Sequence, residues 1–244
     1  MRIGVIGGSG SIGLHLVSKL TAADHEVTVF DVVKPDSKNI DYGFIDITDL
    51  GVTIDALNGN YEVVYLLAAL ADVNDCYANP VGTIEVNVLG VANVLEACVK
   101  NKIRRLVFSS TIWIYDFSND YSVNEDTLID LTKKKHIYAA SKVSAESLIQ
   151  SYSHLYGQEF TILRYGVVYG PNTRDRTVIS TFIRMAMDGK PLLIQGDGLS
   201  HRKFIYIEDL AEGSVVALSD SAKNQVFNLE GPKDITVRDV AETM

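Results

Sequence analysis

Ile3-Gly4-Val5-Ile6-Gly7-Gly8-Ser9-Gly10-Ser11-Ile12-Gly13 stands almost at the start of the chain, and its reading decides the fold. Residues 3–6 are a short apolar run, the mark of a buried strand. Residues 7–13 form a glycine turn, and over residues 11–23 the apolar Ile12, Leu16, Val17 and Leu20 recur at helical spacing. The glycines can be read as G-x-x-G-x-x-G from Gly7 or as G-x-G-x-x-G from Gly8. In either register a strand, a bare turn and a helix start follow one another. Missing side chains let the backbone approach a pyrophosphate, whose charge meets the positive end of the helix.

Working outward, residues 26–30 (EVTVF) read as a second strand, and Asp31 ends it, 18 residues past Gly13. A carboxylate there can accept both ribose hydroxyls of an adenosine and repels a 2′-phosphate. This favours NAD over NADP, although Lys34 and Lys38 leave some room for NADP. Further strands are expected at 44–47, 61–69, 105–109 and 160–168, with helices at 83–100 and 138–155 between them. Strands that are continuously apolar and separated by helices imply a parallel sheet covered on both faces. After Pro171 the texture becomes mixed: helix 178–188, the run 191–194, a Gly196-Asp197-Gly198 turn, strand 203–207, helix 209–218 and strand 225–229. The expected division is a cofactor domain over 1–170 and a smaller substrate region over 171–244, the latter discontinuous, with strand and helix elements returning to the cofactor domain. Residues 115–135 read as a polar surface loop.

Composition narrows the function classes. Of the 244 residues 47% are hydrophobic and 22% charged, as in an ordinary globular chain, and the net charge of −9 argues against nucleic acid as a partner. The longest apolar run, residues 63–71, is far shorter than the roughly 20 residues of a bilayer span. No signal peptide precedes the first strand, so a cytoplasmic protein is expected. Cys76 and Cys98 read as reduced, buried thiols. His15, His25, His136, His154 and His201 are scattered without ligand spacing, so no metal site is expected. Lys133-Lys134-Lys135 reads as a solvated run.

Two further constellations carry chemistry. Tyr138-Ala139-Ala140-Ser141-Lys142 places Tyr and Lys four apart, on one face of a helix. A neighbouring ammonium favours phenolate and lowers a tyrosine from its usual pKa of about 10, toward a general base. Ser109-Ser110-Thr111 closes the 105–109 strand, where open parallel sheets bind ligands.

Glycine turn, acidic strand end, Ser-Ser-Thr and Tyr/Lys helix, in this order, resemble the extended short-chain dehydrogenases/reductases. The likeness is to the NAD-dependent epimerase/dehydratase group, which acts largely on nucleotide sugars. The resemblance runs from Met1 almost to Met244. It implies a Rossmann-type α/β fold, a doubly wound parallel sheet, and a homodimer. Gly7, Gly10, Ser11, Ile12 and Gly13 would lie under the pyrophosphate, and Asp46 and Ile47 beside the adenine. Leu67, Ala68, Ala69, Asn87 and Ser109 would line the cofactor, as would Tyr165, Gly166 and Val168 of the Arg164-Tyr165-Gly166-Val167-Val168-Tyr169-Gly170-Pro171 segment. Thr111, Tyr138 and Lys142 match the catalytic trio. Val167 and Arg202 would face the substrate, while Arg174 and Arg176, which follow the Gly-Pro turn, read either as substrate-phosphate contacts or as surface salt-bridge partners.

The resemblance also bears on the reaction. The group's 4,6-dehydratases carry Asp-Glu directly after this Thr, and its decarboxylases keep the Glu; here Ile112 and Trp113 stand there, and neither carries a proton. An epimerase working through a keto intermediate is expected. The alternatives are a dehydrogenase or reductase of a small alcohol or ketone, and a non-catalytic dinucleotide sensor. Val167 stands where the group often has Asn, and Ile114-Tyr115-Asp116 replaces its Val-Tyr-Gly. Trp113 could pack over a ring, but one Trp at a strand end is more often core, and core is the expectation. Thr236 reads as a helix N-cap followed by only two turns, so the expected substrate region is incomplete, in a truncated chain or a naturally short one.

Overall fold

The structure is a computed structural model that describes residues 1–37, 40–115, 123–133, 136–173 and 177–244. In chain order it runs β1 (Arg2–Ile6), α1 (Ser11–Ala22), β2 (Glu26–Asp31), β3 (Asp41–Phe44), α2 (Leu50–Ala56), β4 (Val63–Leu66), α3 (Val73–Ala78), α4 (Pro80–Ile84) and α5 (Gly90–Lys100). Then follow β5 (Arg105–Thr111), α6 (Ile137–Tyr156), β6 (Glu159–Tyr165), β7 (Val167–Tyr169), α7 (Val178–Met187), β8 (His201–Arg202), β9 (Phe204–Tyr206), α8 (Ile207–Val216), β10 (Gln225–Leu229), β11 (Ile235–Thr236) and α9 (Val237–Thr243).

One seven-stranded sheet has the order β3-β2-β1-β4-β5-β6-β10 with every neighbouring pair parallel. Its strands are apolar on both faces because both are covered. Ile3, Val5, Val63, Tyr65 and Val107 pack against Leu16 and Leu20 of α1 and Leu210 of α8. Ile6, Val64, Leu66, Leu106 and Phe108 pack against Val91, Val94 and Leu95 of α5 and Ile149 of α6. This is the doubly wound Rossmann arrangement. The chain leaves β1 toward β2 on one side and returns as β4 on the other, which opens a crevice at the strands' C-terminal ends.

Several elements differ from their sequence expectations. The third strand is Asp41–Phe44, earlier than 44–47. Ile45 and Ile47 gave the apolar signal because they are core residues just past the ladder, which ends where Asp46 turns the chain by accepting from Thr48. The fourth strand stops at Leu66, because the N–H groups of Leu67 and Ala68 both turn back to the Ile6 carbonyl. The expected 160–168 strand is two, broken at Gly166, whose N–H is taken by the Leu229 carbonyl. A Cβ at Gly166 would lie 2.8 Å from that of Glu230. The short α2 and α3 carry too few periodic positions to be read from sequence.

The long helix expected over 83–100 contains a π-helical turn, Glu85–Leu89, between α4 and α5. Such turns cost helix regularity and concentrate at functional sites. Within Pro80–Lys100, which is long enough to cross a bilayer by length and composition alone, an 18-residue window has a mean hydropathy of 1.3. In this fold half of it is buried, with Val91, Val94 and Leu95 in the sheet's core.

The C-terminal part is mixed, as expected. β7 pairs with β9 and β8 with β11, around a small core of Phe182, Phe204 and Val240. Thr236 caps α9 in a reciprocal capping box with Asp239. β10 rejoins the main sheet beside β6, and α8 packs on α1, where Glu208 meets both His15 and Lys19. The fully buried Arg105 on β5 donates to the Ser219 carbonyl at 2.9 Å, just past the end of α8, where helix carbonyls favour a cation.

Candidate active site

A cavity of about 560 Å³ fills the crevice. One end is built by the glycine turn. Gly7 has φ +82°, and a Cβ there would sit 2.4 Å from the Ala68 nitrogen; a Cβ at Gly13 would sit 2.5 Å from the Gly7 carbonyl oxygen. Both are glycine because the protein's own backbone fills the space. Gly10 is different: a Cβ there would meet only the Gly7 carbonyl oxygen, at 3.4 Å, so its bareness opens onto the cavity. Gly10 is also the N-cap of α1, with no side-chain cap and no acidic residue in the first turn. The first-turn donors of Ser11, Ile12 and Gly13 therefore border the cavity without a side chain competing for them. An anion such as a dinucleotide's diphosphate fits this cradle.

Asp31 lies on the same wall. One carboxylate oxygen accepts from the Ser9 N–H and the other from the Val33 N–H, both at 3.1 Å. The carboxylate is thereby aimed at the β2 end with lone pairs left over, as ribose hydroxyls require. Asp46 and Ile47 line the cavity further along, together with Val32, Ile45 and Thr48, which the sequence reading did not single out. Leu67, Ala68 and Ala69 form the wall after β4.

Asn87 departs from its expectation. It lies buried behind the wall, in the π-helical turn, and does not line the cavity. Its side chain accepts from the Leu70 N–H at 2.9 Å and donates to the Leu70 carbonyl at 2.8 Å and the Ser141 hydroxyl at 3.0 Å. It fixes the loop after β4 to α6, and so shapes the cavity through other residues.

The other end holds the expected trio. β5 carries Ser109 and Thr111 to the cavity, and α6 carries Tyr138 and Lys142. His136 caps α6 by accepting from the Ala139 N–H, and Gly157 at φ +68° ends it, so the capped first turn sets Tyr138. Lys142 is 3% exposed. Its ammonium donates to the Ser109 carbonyl at 2.7 Å and lies 4.6 Å over the Phe108 ring. Burial lowers its pKa to about 7, with Glu146 and Cys76 opposing. Ser109 is tied to the Leu66 carbonyl at 3.0 Å, and the Thr111 hydroxyl accepts the Trp113 N–H at 3.2 Å.

Behind the trio lies a buried ion pair. Arg164 on β6 makes two bonds to Glu146 on α6, at 3.1 and 2.8 Å, and Ser110 on β5 bonds the same carboxylate. Arg164 also donates to the Tyr115 hydroxyl. These bonds clamp three elements in one register, one helical turn from Lys142.

Tyr165, Gly166 and Val168 line the cavity, and burial pushes the Tyr165 hydroxyl up to about 12. Val167 packs instead into the small C-terminal core. Arg202 is not in the cavity wall, but its guanidinium lies 5.7 Å over the Trp113 ring. Trp113 is a correction: expected in the core, it is 36% exposed and lines the cavity. Arg174, Arg176, Lys38 and Asp116 lie outside the described residues. Among the described residues no three His, Cys, Asp or Glu side chains come together as a metal site.

Fold and cavity define a dinucleotide-binding α/β protein with Ser109, Thr111, Tyr138 and Lys142 lining one end of the cavity. The chain belongs to the NAD dependent epimerase/dehydratase family, whose sequence profile matches residues 3–229. It is 33% identical over 251 residues to a UDP-N-acetyl-alpha-D-glucosaminuronate decarboxylase of Bacillus cytotoxicus, covering 98% of this chain and 77% of the relative. Among solved structures, the UDP-glucose 4-epimerase of Thermus thermophilus in complex with NAD superposes with a TM-score of 0.85 at 32% identity, over 99% of this chain and 81% of that one. The UDP-glucose 4-epimerase of Thermotoga maritima with UDP-glucose gives a TM-score of 0.91 at 27% identity, over 99% of this chain and 81% of that one.

Proposed function

We propose that this protein is an NAD-dependent epimerase of a nucleotide sugar. One observation carries the reading. A single cavity joins the glycine cradle and Asp31 to Thr111, Tyr138 and Lys142, while Ile112 and Trp113, directly after Thr111, bring no carboxylate to the reacting end. Elimination and decarboxylation lack the acid that the family's dehydratases and decarboxylases carry there.

Bound NAD, held by the glycine cradle, Asp31 and Lys142, would supply a reversible hydride acceptor for the sugar carbon. The chain's own groups do the rest. The Tyr138 phenolic oxygen takes the proton of the sugar hydroxyl and gives it back after the sugar has turned. Thr111 orients that hydroxyl. Lys142 supplies positive charge beside the phenol and holds a ribose hydroxyl. Burial lowers its pKa to about 7, so its charge is sensitive to the groups brought beside it. Asp31 and the α1 N-terminus hold the adenosine and the diphosphate. We also propose a homodimer, supported by the exposed apolar Tyr77, Val81 and Ile84 along α3 and α4; light scattering on the purified protein checks it.

The test is mass spectrometry of the small molecules released on denaturing the purified protein, then a screen of UDP-, GDP-, dTDP- and CDP-sugars for interconversion. The expected result is bound NAD, an epimer pair at constant cofactor, and a loss of at least about 100-fold in turnover for Tyr138→Phe with the dinucleotide still bound. Loss of water or CO₂ from the sugar would overturn the epimerase reading. Steady accumulation of NADH would place the protein among dehydrogenases instead.

A further inference from the structure

Trp113 is the single tryptophan of the chain. It sits on a 3₁₀ turn, Ile112–Tyr115, directly after the β5 end that carries Thr111. Its two successors, Ile114 and Tyr115, are buried and anchor the turn, and Trp113 points the other way, 36% exposed in the cavity wall. A large aromatic side chain left in a wet cleft forgoes burial, which for such a residue is a cost the fold would ordinarily avoid. Its flanks are also specific. The Arg202 guanidinium lies 5.7 Å from the ring centroid, and His136 meets it in an edge-to-face contact at 5.9 Å and 69°. His136 in turn lies nearly parallel to Tyr138, at 6.3 Å and 12°. An aromatic wall thus leads from the proposed proton acceptor to an apolar face and then to a cation.

The order matches a pyranose linked to an anion. A gluco-configured ring presents axial C–H bonds on its faces, and an aromatic plane is complementary to them in shape and quadrupole. The anionic linkage would meet the guanidinium beyond it, where Arg offers a planar fork of donors. We propose that Trp113 is a specificity-determining residue, the platform on which the hexose ring of the substrate lies, and that it also holds Arg202 toward the substrate's anionic linkage. This rests on the nucleotide-sugar reading above and adds to it the residue that selects the sugar. A side chain of this size in place of a carboxylate also fills the room that a bulkier ring would need.

The chain supplies its own reporter, because tryptophan emission excited at 295 nm comes from Trp113 alone. The experiment titrates wild type, Trp113→Phe and Trp113→Ala with UDP-glucose and UDP, and with dTDP-glucose and dTDP. Calorimetry gives affinities for all three proteins, and emission is followed in the wild type. Thermal melts and dinucleotide content monitor folding. The expected result is that sugar nucleotides change the emission beyond the effect of the free nucleotides. Trp113→Ala loses about tenfold of the preference for the sugar nucleotide over its free nucleotide, Trp113→Phe keeps part of it, and all three proteins hold the dinucleotide equally. Equal emission changes with UDP-glucose and UDP, or an undiminished preference in a folded Trp113→Ala, would overturn the proposal while leaving the family function intact. A wild type that binds neither dinucleotide nor any of the four probes would refute the nucleotide-sugar reading itself.

Discussion

Replacing Lys142 by Met should make the resting protein more stable at low pH while removing its activity. Lys142 is buried, and burial lowers its ammonium from 10.5 to about 7. At 1.36 kcal/mol per pH unit, forcing the charge into the folded protein below pH 7 costs on the order of 5 kcal/mol. Met fills a similar volume with no charge. Its substitution leaves the Ser109 carbonyl without its 2.7 Å donor, which costs about 1–3 kcal/mol. The net gain at pH 5.5 is then about 2 kcal/mol or more, and a chain of this length gains roughly 4–8 °C in Tm from it. The folded pKa lies below the unfolded one, so between about 7 and 10.5 the unfolded chain binds more protons and the wild type gains stability as pH rises. The Met variant lacks that gain. Its advantage should therefore be full below pH 7 and vanish or reverse by pH 10. Calorimetric melts of both proteins, stripped of dinucleotide, at half-unit steps from pH 5.5 to 10 measure it. A Tm difference that stays constant across that range, or a wild type that is the more stable at pH 5.5, refutes the buried-ammonium reasoning.

Asp31→Asn keeps the side chain's shape but removes the charge whose oxygens the Ser9 and Val33 N–H groups hold in place. Loss of charge-assisted bonds worth about 1.5–3 kcal/mol should weaken NAD at least about tenfold and leave NADP less affected, and calorimetric titration with both dinucleotides reads the ratio. Glu146→Gln strands the Arg164 charge in a buried site, with a cost of about 3–5 kcal/mol seen as a lowered Tm. The paired change Glu146→Leu with Arg164→Met should recover most of that loss, since no unpaired charge remains; a double variant as unstable as the single one would show that the pair's geometry, and not its charge balance, holds the elements together.

Much of the cavity was legible because its parts are local. The glycine turn is contiguous, Asp31 follows at the end of the next strand, and Tyr138 and Lys142 share one helix face; each pattern falls within one supersecondary unit. What was misread depends on distant partners. Ile45 and Ile47 look like strand residues because apolarity reports burial and does not distinguish ladder from loop. The π-helical turn at Glu85–Leu89 leaves no mark in the spacing of apolar residues, and the family resemblance, which placed Asn87 at the cofactor, carries no sign that it is buried behind the wall. Trp113 reads as core because a single Trp at a strand end is usually packed; only the buried Ile114 and Tyr115 beside it show that the turn faces it outward. The Arg164–Glu146–Ser110 clamp joins residues up to 54 positions apart and carries no local signature.

By itself the sequence determined the alternation of strand and helix, the glycine turn between them, the acidic end of the second strand and the Tyr138/Lys142 spacing on one helix face. These follow from periodicity and from side-chain chemistry within a few residues of one another. The tertiary structure alone decided that Asn87 works from behind the wall, that Lys142 is buried deeply enough for its pKa to fall, and that Trp113 lines the cavity beside Arg202. Each of these depends on which residues are brought together across the fold and on how much water is left around them, and neither is a property of any short stretch of chain.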